Sequence, residues 1–209
     1  KSFVQGKAVI HDRLERNADD TATLDDVAVE VVDYLTEHKG ISESDILLTV
    51  QPTSPFLRSD TLKSAIERFY DSSVDTVLTV TYDRHLRWTM QGSNPEPLYK
   101  ERVNRQLMPP TFAETGGIIA STVGSLKKDK TRIGKKIALI EVGAKEGLDI
   151  DTYEDWARAE FWCNRIRVFI RVDGSKDMGF GHLYRALALA QNLTAHEVFF
   201  VTKKNGKYK

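Results

Sequence analysis

Two hydrophobic periods take turns along this chain: short apolar runs of four to six residues, and longer stretches with apolar residues three and four apart. The first pattern predicts strands and the second helices. Lys7 to Ile10 reads as a short strand. Thr23 precedes Leu24, Val27, Val31 and Leu35 at helical spacing and has the hydroxyl an N-cap needs, while Gly40 closes that helix. Asp45 to Val50 (DILLTV) is a buried-strand run leading into Gln51-Pro52-Thr53-Ser54-Pro55, where two prolines forbid helix and stiffen a loop. Ser59 is placed to cap a helix with Leu62, Ile66 and Phe69 on one face, and Thr76 to Tyr82 is a Val- and Thr-rich strand. Residues 83–115 lose the rhythm, hold four of the six prolines, and read as an excursion of hairpins leaving the sheet. Strands resume at Gly117 to Ala120 and Lys136 to Val142, and Thr152 caps a helix to about Cys163. A strand from Ile166 to Val172, a glycine loop, a helix through Leu187 and Leu193, and a strand from Glu197 to Thr202 form one βαβ unit. The alternation predicts an α/β class with a mostly parallel sheet, divided into residues 1–164 and a second α/β module at 165–209.

Composition narrows the function classes. Thirty basic and thirty acidic residues cancel, so the chain as a whole has no pull toward nucleic acid or an acidic membrane. The apolar runs are far shorter than a membrane helix requires. The single cysteine, Cys163, excludes an internal disulfide, and a reducing cytoplasm is the expected compartment.

Candidate chemistry falls at the strand ends, where parallel sheets carry their reactive loops. Gln51, Thr53, Ser54 and Arg58 offer an amide, two hydroxyls and a guanidinium fork after DILLTV. A proline-stiffened turn with surface polar groups is the plainer account of the same loop. Asp149 and Asp151 flank Ile150, and in an extended segment both carboxylates face one way. Two such carboxylates suit Mg²⁺, which keeps waters and bridges substrate phosphates; the alternative is that one of them caps the following helix. Arg105, followed by Gln106, could grip an anion bidentately or simply be a solvated arginine. Further on, Gly179-Phe180-Gly181-His182 opens a helix. Its glycines let backbone amides approach a phosphate, or merely shape a turn.

The combination DILLTVQPTSPFLRSDTL, NRQLMPPTFAETGGIIAS, IGKKIALIEV and GLDIDTYEDWARAE resembles the acylneuraminate cytidylyltransferase family over about Lys7 to Trp162. The resemblance implies a Rossmann-like nucleotidyltransferase domain that transfers CMP from CTP to a nonulosonic acid of the sialic, pseudaminic or legionaminic type. It implies sugar-acid contacts from Gln51 and Arg105, with Asp149 and Asp151 binding Mg²⁺ on the CTP phosphates. The prolines, Trp88, Leu98 and Met108 of 83–115 offer apolar surface with no sheet position to bury it, so this excursion is expected to form a homodimer contact. The family's opening strand and glycine- and basic-rich phosphate loop have no counterpart here, and His11-Asp12-Arg13 replaces its Arg-Pro pair. The chain by itself is therefore expected to be inactive.

RVDGSKDMGFGHLYRALALA resembles the opening of the UDP-sugar hydrolases of pseudaminic acid synthesis, which have a glycosyltransferase-B-like fold. That resemblance implies nucleotide contacts at Gly179 and Gly181, with His182 as the base that activates water. Peptidoglycan glycosyltransferases carry a similar loop and are the alternative for this module. If the two modules share a pathway, pseudaminic acid is favoured over sialic acid. The rival for the whole chain is a non-catalytic nucleotide-sugar-binding or oligomer-forming module.

Overall fold

The computed structural model describes residues 8, 10–19, 21–174 and 179–203. The strand expected at Lys7 to Ile10, and Ser175 to Met178 of the glycine loop, fall wholly or partly outside these residues. The chain divides into two compact units, Lys1–Asp149 and Ile150–Lys209.

In the first unit, helix α1 (Leu24–Lys39) begins at a full capping box: Thr23 Oγ1 accepts from the Asp26 N–H, and the Asp26 carboxylate accepts from the Thr23 N–H. It ends on Gly40 in the left-handed region, φ 65°. Strand β1 (Ile46–Val50), helix α2 (Ser59–Glu67), strand β2 (Thr76–Asp83), a hairpin of β3 (Trp88–Gln91) and β4 (Asn94–Pro97), strand β5 (Thr111–Thr122), helix α3 (Val123–Asp129) and strand β6 (Ile137–Glu141) follow. The main sheet has the order β1-β5-β2-β6. Three of its four strands run in one direction, as expected for a mostly parallel sheet, and β5 runs against both its neighbours. A strand that returns after an excursion from the end of β2 arrives from the opposite side, so antiparallel pairing needs no crossover.

Two differences from the sequence reading have physical causes. β5 begins at Thr111, so residues 111–115 belong to the sheet rather than to the excursion; Tyr82 pairs with Phe112, and their rings meet edge-on at 5.6 Å. In α1 the fully buried stripe is Ala28 and Val32, with Val27, Val31 and Leu35 half-buried beside it. Apolar residues occupy two adjacent helical rows there, and the small alanine is the one that allows close approach to Val123 and Leu126 of α3.

The sheet is covered on both faces. Ala65 and Leu62 of α2 pack against Val77, Ile118 and Ala120 on one side, while Leu47 turns to the α1–α3 cluster on the other. The segment before α1 is held by Glu30, which accepts from the Leu14 N–H, Asn17 Nδ2 and His11 Nε2. Burial would raise the Glu30 carboxyl, but these donors outweigh it and hold it below the ordinary range.

The second unit contains helix α4 (Tyr153–Cys163), strand β7 (Arg167–Arg171), helix α5 (Gly181–Gln191) and strand β8 (Glu197–Val201). β7 and β8 pair in parallel, which makes the expected βαβ unit. A capping box between Thr152 and Asp155 starts α4, so neither Asp149 nor Asp151 caps it.

Candidate active site

β1, β2 and β6 end on the same edge of the first unit, and the loops after β1 and β6 meet there beside the middle of β5. After β1 the chain turns sharply: the Ser54 N–H donates to the Gln51 carbonyl at 3.2 Å, and the Leu57 N–H to the Ser54 carbonyl at 3.3 Å. The turn buries Ser54 and leaves Gln51 half-buried. Thr53 Oγ1 donates to Gln51 Oε1 (3.3 Å), which fixes the amide and turns its NH₂ to other partners. Ser54 Oγ is buried with no hydrogen-bond partner among the described residues.

Gly116 is the floor of the site. Its φ of 69° favours glycine, and a Cβ there would stand 3.1 Å from Asp149 Oδ2 and 3.4 Å from Gln51 Oε1. The two polar ends thus converge on one bare stretch of backbone, although Gln51 and Asp149 are nearly a hundred residues apart in the chain. Beside it, β2 and β5 slip register between Leu78 and Val80. Thr79 and Thr115 fill that irregularity with hydroxyls 2.7 Å apart, and the Ile118 N–H donates to Thr79 Oγ1.

Asp149 is brought in by the residues just before it. Gly147 lies against β2 and β5 so closely that a Cβ would fall 2.5 Å from Thr81 Cγ2 and 2.9 Å from Thr115 Cγ2. Leu148 is 3% exposed. Asp149 Oδ1 is buried without a hydrogen-bond partner among the described residues, an orphan acceptor that suits a cation. Asp151 belongs to the second unit and is exposed. Arg58 is the N-cap residue of α2; its side chain is exposed and paired with Asp60 (3.1 Å).

Arg105 and Gln106 lie on a short 3₁₀ turn, Arg105–Leu107, and both are exposed. Arg105 stands at the far tip of β2, four residues or ~13 Å beyond Thr79 at ~3.3 Å per residue. There it donates to the Arg84 carbonyl and, from Nη2, to His85 Nε2 at 3.1 Å. A guanidinium only donates, so the imidazole proton is on Nδ1, where it bonds the buried Asp83 carboxylate (2.5 Å). Hydrogen bonds from His85 and then Arg87 hold the Asp83 carboxyl below its usual range. A largely apolar cavity of about 700 Å³ opens beside this group, walled by Leu86, Leu98, Val103, Leu107 and Phe112.

In the second unit, Arg171, Asp173, Gly179 and His182 line a cavity of about 380 Å³. A hydrogen bond from Arg171, then one from the Lys203 N–H, pushes the Asp173 carboxyl down to about 2. Gly179 takes a φ of 76°, Gly181 is the first residue of α5, and His182 Nδ1 faces Arg185 Nη2 at 3.1 Å. The N-cap position of α5 is Phe180.

No protein-family model matches the chain. Over 140 residues it is 28% identical to the N-acylneuraminate cytidylyltransferase B of Danio rerio, a stretch covering 64% of this chain and 33% of that protein. The chain thus spans about a third of the length of this curated relative. A solved 4-diphosphocytidyl-2C-methyl-D-erythritol synthase superposes with a TM-score of 0.52 at 13% identity, covering 68% of each chain. The enzyme of that name from Anaerococcus prevotii gives the same TM-score and identity over 69% of this chain and 68% of its own. Over about two thirds of its length the chain shares the α/β fold of these two synthases.

Within this α/β fold, the site includes residues whose place in it the sequence pattern does not announce. The pair Gly116-Gly117 was a visible signal, since adjacent glycines inside a strand mark a bulge or a close approach. Gly147 and the Thr79–Thr115 pair had no such signal, because their importance comes from partners remote in sequence. No helix among the described residues is long and apolar enough to cross a membrane.

Proposed function

We propose that the first unit carries a nucleotidyltransferase site that transfers CMP from CTP to a nonulosonic acid and releases pyrophosphate. The observation that carries this reading is the meeting of Gln51 and Asp149 at Gly116, with one Asp149 oxygen buried and unpartnered. The likeness to a curated N-acylneuraminate cytidylyltransferase supports it. In this reaction the anomeric oxygen of the sugar acid bonds to the α-phosphorus of CTP as the bond to the bridging oxygen of pyrophosphate breaks, and the hydroxyl proton is lost to solvent. Such a displacement depends on positioning and charge neutralisation rather than on a protein nucleophile.

Asp149, together with Asp151 two residues on, would hold a Mg²⁺ ion that neutralises charge on the CTP phosphates. The donors fit such an ion: Asp149 supplies a desolvated oxygen, and Mg²⁺ takes one or two carboxylates with water and phosphate oxygens as its other ligands. Among the described residues no group of three or more acidic, His or Cys side chains could hold a metal by itself, and water with phosphate oxygens would supply the remaining ligands.

Gln51, oriented by Thr53, offers its amide to sugar hydroxyls; Ser54 lines the same turn, and Arg105 takes the sugar carboxylate. Arg58 and Gln106 are proposed as further contacts to the anionic substrate. In the full-length protein, Arg105→Ala is expected to raise the apparent KM for the sugar acid by ~10-fold or more, the scale of one lost hydrogen bond to a charged group, and Gln51→Ala by ~2–10-fold, the scale of a neutral one. The KM for CTP should stay nearly constant. A rise for CTP instead would mean the sugar and nucleotide ends are reversed.

The excursion, expected at 83–115 and leaving the sheet over residues 84–110, is proposed to form a homodimer contact. Trp88 is 55% and Leu98 65% exposed, and Met90 and Leu107 are exposed beside them. Sedimentation of the full-length protein should show a dimer, and a monomer at all concentrations would refute the contact.

For residues 165–209 the proposed role is nucleotide-sugar hydrolysis, with His182 taking a proton from the water that attacks a UDP-sugar and Gly179 and Gly181 approaching its phosphates. The cavity holding His182, Arg171 and Asp173 supports a ligand there. A UDP-sugar converted to UDP and free sugar marks a hydrolase, whereas transfer to an acceptor marks a glycosyltransferase.

A further inference from the structure

Helix α2 has no side-chain cap of its own. Its N-cap residue is Arg58, whose side chain can only donate; the Arg58 carbonyl takes the Thr61 and Leu62 N–H groups, and the Arg58 N–H needs a partner from elsewhere. Glu146 supplies it from 88 residues away: Oε1 accepts from the Arg58 N–H at 3.2 Å and from the hydroxyl of Thr61. The carboxylate also sits at the end of the helix that favours negative charge. A second contact lies beside it, with Lys145 Nζ 4.8 Å from the centre of the Phe56 ring. The loop after β6 is thereby tied to the loop after β1 at two adjacent residues.

Asp149 is three residues beyond Glu146. Gly147 is pressed between the methyls of Thr81 and Thr115, and Leu148 is buried, so the chain has little slack between Glu146 and Asp149. We infer that Glu146 is a positioning residue: by capping α2 across the site it fixes the Asp149 carboxylate opposite Gln51, and it thereby sets metal affinity without touching the metal. This rests on the reading that Asp149 holds a cation. Remote partners that orient metal ligands typically change affinity by ~10–100-fold when removed.

The test is a Mn²⁺ titration in the presence of CTP, followed by electron paramagnetic resonance of the free ion, on full-length protein carrying Glu146→Ala, Glu146→Gln, Thr61→Val or Asp149→Asn. Glu146→Ala should weaken Mn²⁺ binding ~10-fold or more. Glu146→Gln keeps the acceptor oxygen and should restore most of the affinity. Thr61→Val removes one donor from the other side and should weaken binding in the same direction. Combined with Glu146→Ala it should add little, since both act through one contact. Should Glu146→Ala fail to fold, the Thr61→Val and Glu146→Gln titrations decide the matter. Wild-type affinity in both Glu146→Ala and Thr61→Val, with binding lost in Asp149→Asn, would overturn the positioning role alone. Unchanged binding in Asp149→Asn would overturn the metal assignment beneath it.

Discussion

Asp149→Asn is expected to lower kcat of the full-length protein by ~100-fold or more while leaving the affinity for the sugar acid within a few-fold. The substitution preserves size and removes charge. On the proposed function, what it would weaken is the hold on a cation, whose benefit would grow as charge shifts onto the leaving pyrophosphate, a stabilisation worth several kcal/mol, with each ~1.4 kcal/mol worth a decade in rate. Interactions stronger in the transition state than in the ground state appear in kcat. Asp151→Asn should act in the same direction. Steady-state kinetics at saturating CTP and Mg²⁺ would check both; unchanged turnover in either would remove that carboxylate from the metal site.

The second large effect should come from an added methyl group. At Gly147 a Cβ would lie 2.5 Å from Thr81 Cγ2 and 2.9 Å from Thr115 Cγ2. Both neighbours are β-branched residues of the sheet with little rotameric freedom, so the loop must move rather than the wall. Gly147→Ala should cost ~1–3 kcal/mol of stability, the range for overpacking, and should shift Asp149 two residues on. Activity should therefore fall by more than the lost folded fraction explains. Gly143→Ala is the matched control: it lies in the same loop, has no positive φ and would meet nothing within 4 Å, so it should be near neutral. Equal melting temperatures and rates for the two variants would contradict the packing described for Gly147.

Local chemistry made much of this architecture legible. Thr23 and Asp26 form a capping box from four neighbouring residues, DILLTV announces a buried strand, and the two prolines after it force the turn that carries Gln51 and Ser54. The βαβ unit likewise follows from apolar runs separated by a helical period. What stayed hidden depends on long-range partners. Nothing in Thr111 to Thr115 announces a strand until β2 is beside it, because four of those five residues are exposed or half-buried and only Thr115 is buried. The direction of β5 follows from the route of the excursion, not from its own residues. Glu146 looks like any loop glutamate, and its role exists only because Arg58, a poor N-cap residue, starts the helix opposite. Arg105 was legible as an anion-binding candidate, but its attachment to His85 and Asp83 at the tip of β2 was not.

The central claim is that the Gln51–Gly116–Asp149 site serves metal-dependent CMP transfer to a nonulosonic acid. The most direct measurement is pyrophosphate release from CTP by the full-length protein, with and without Mg²⁺, and with and without a nonulosonic acid such as sialic or pseudaminic acid. The account predicts release only when CTP, metal and sugar acid are all present, one CMP-sugar formed per pyrophosphate, and near-complete loss in Asp149→Asn. Nucleotide or CMP-sugar binding that needs no metal and yields no pyrophosphate with any nonulosonic acid would contradict it, and would make the first unit a binding module rather than an enzyme.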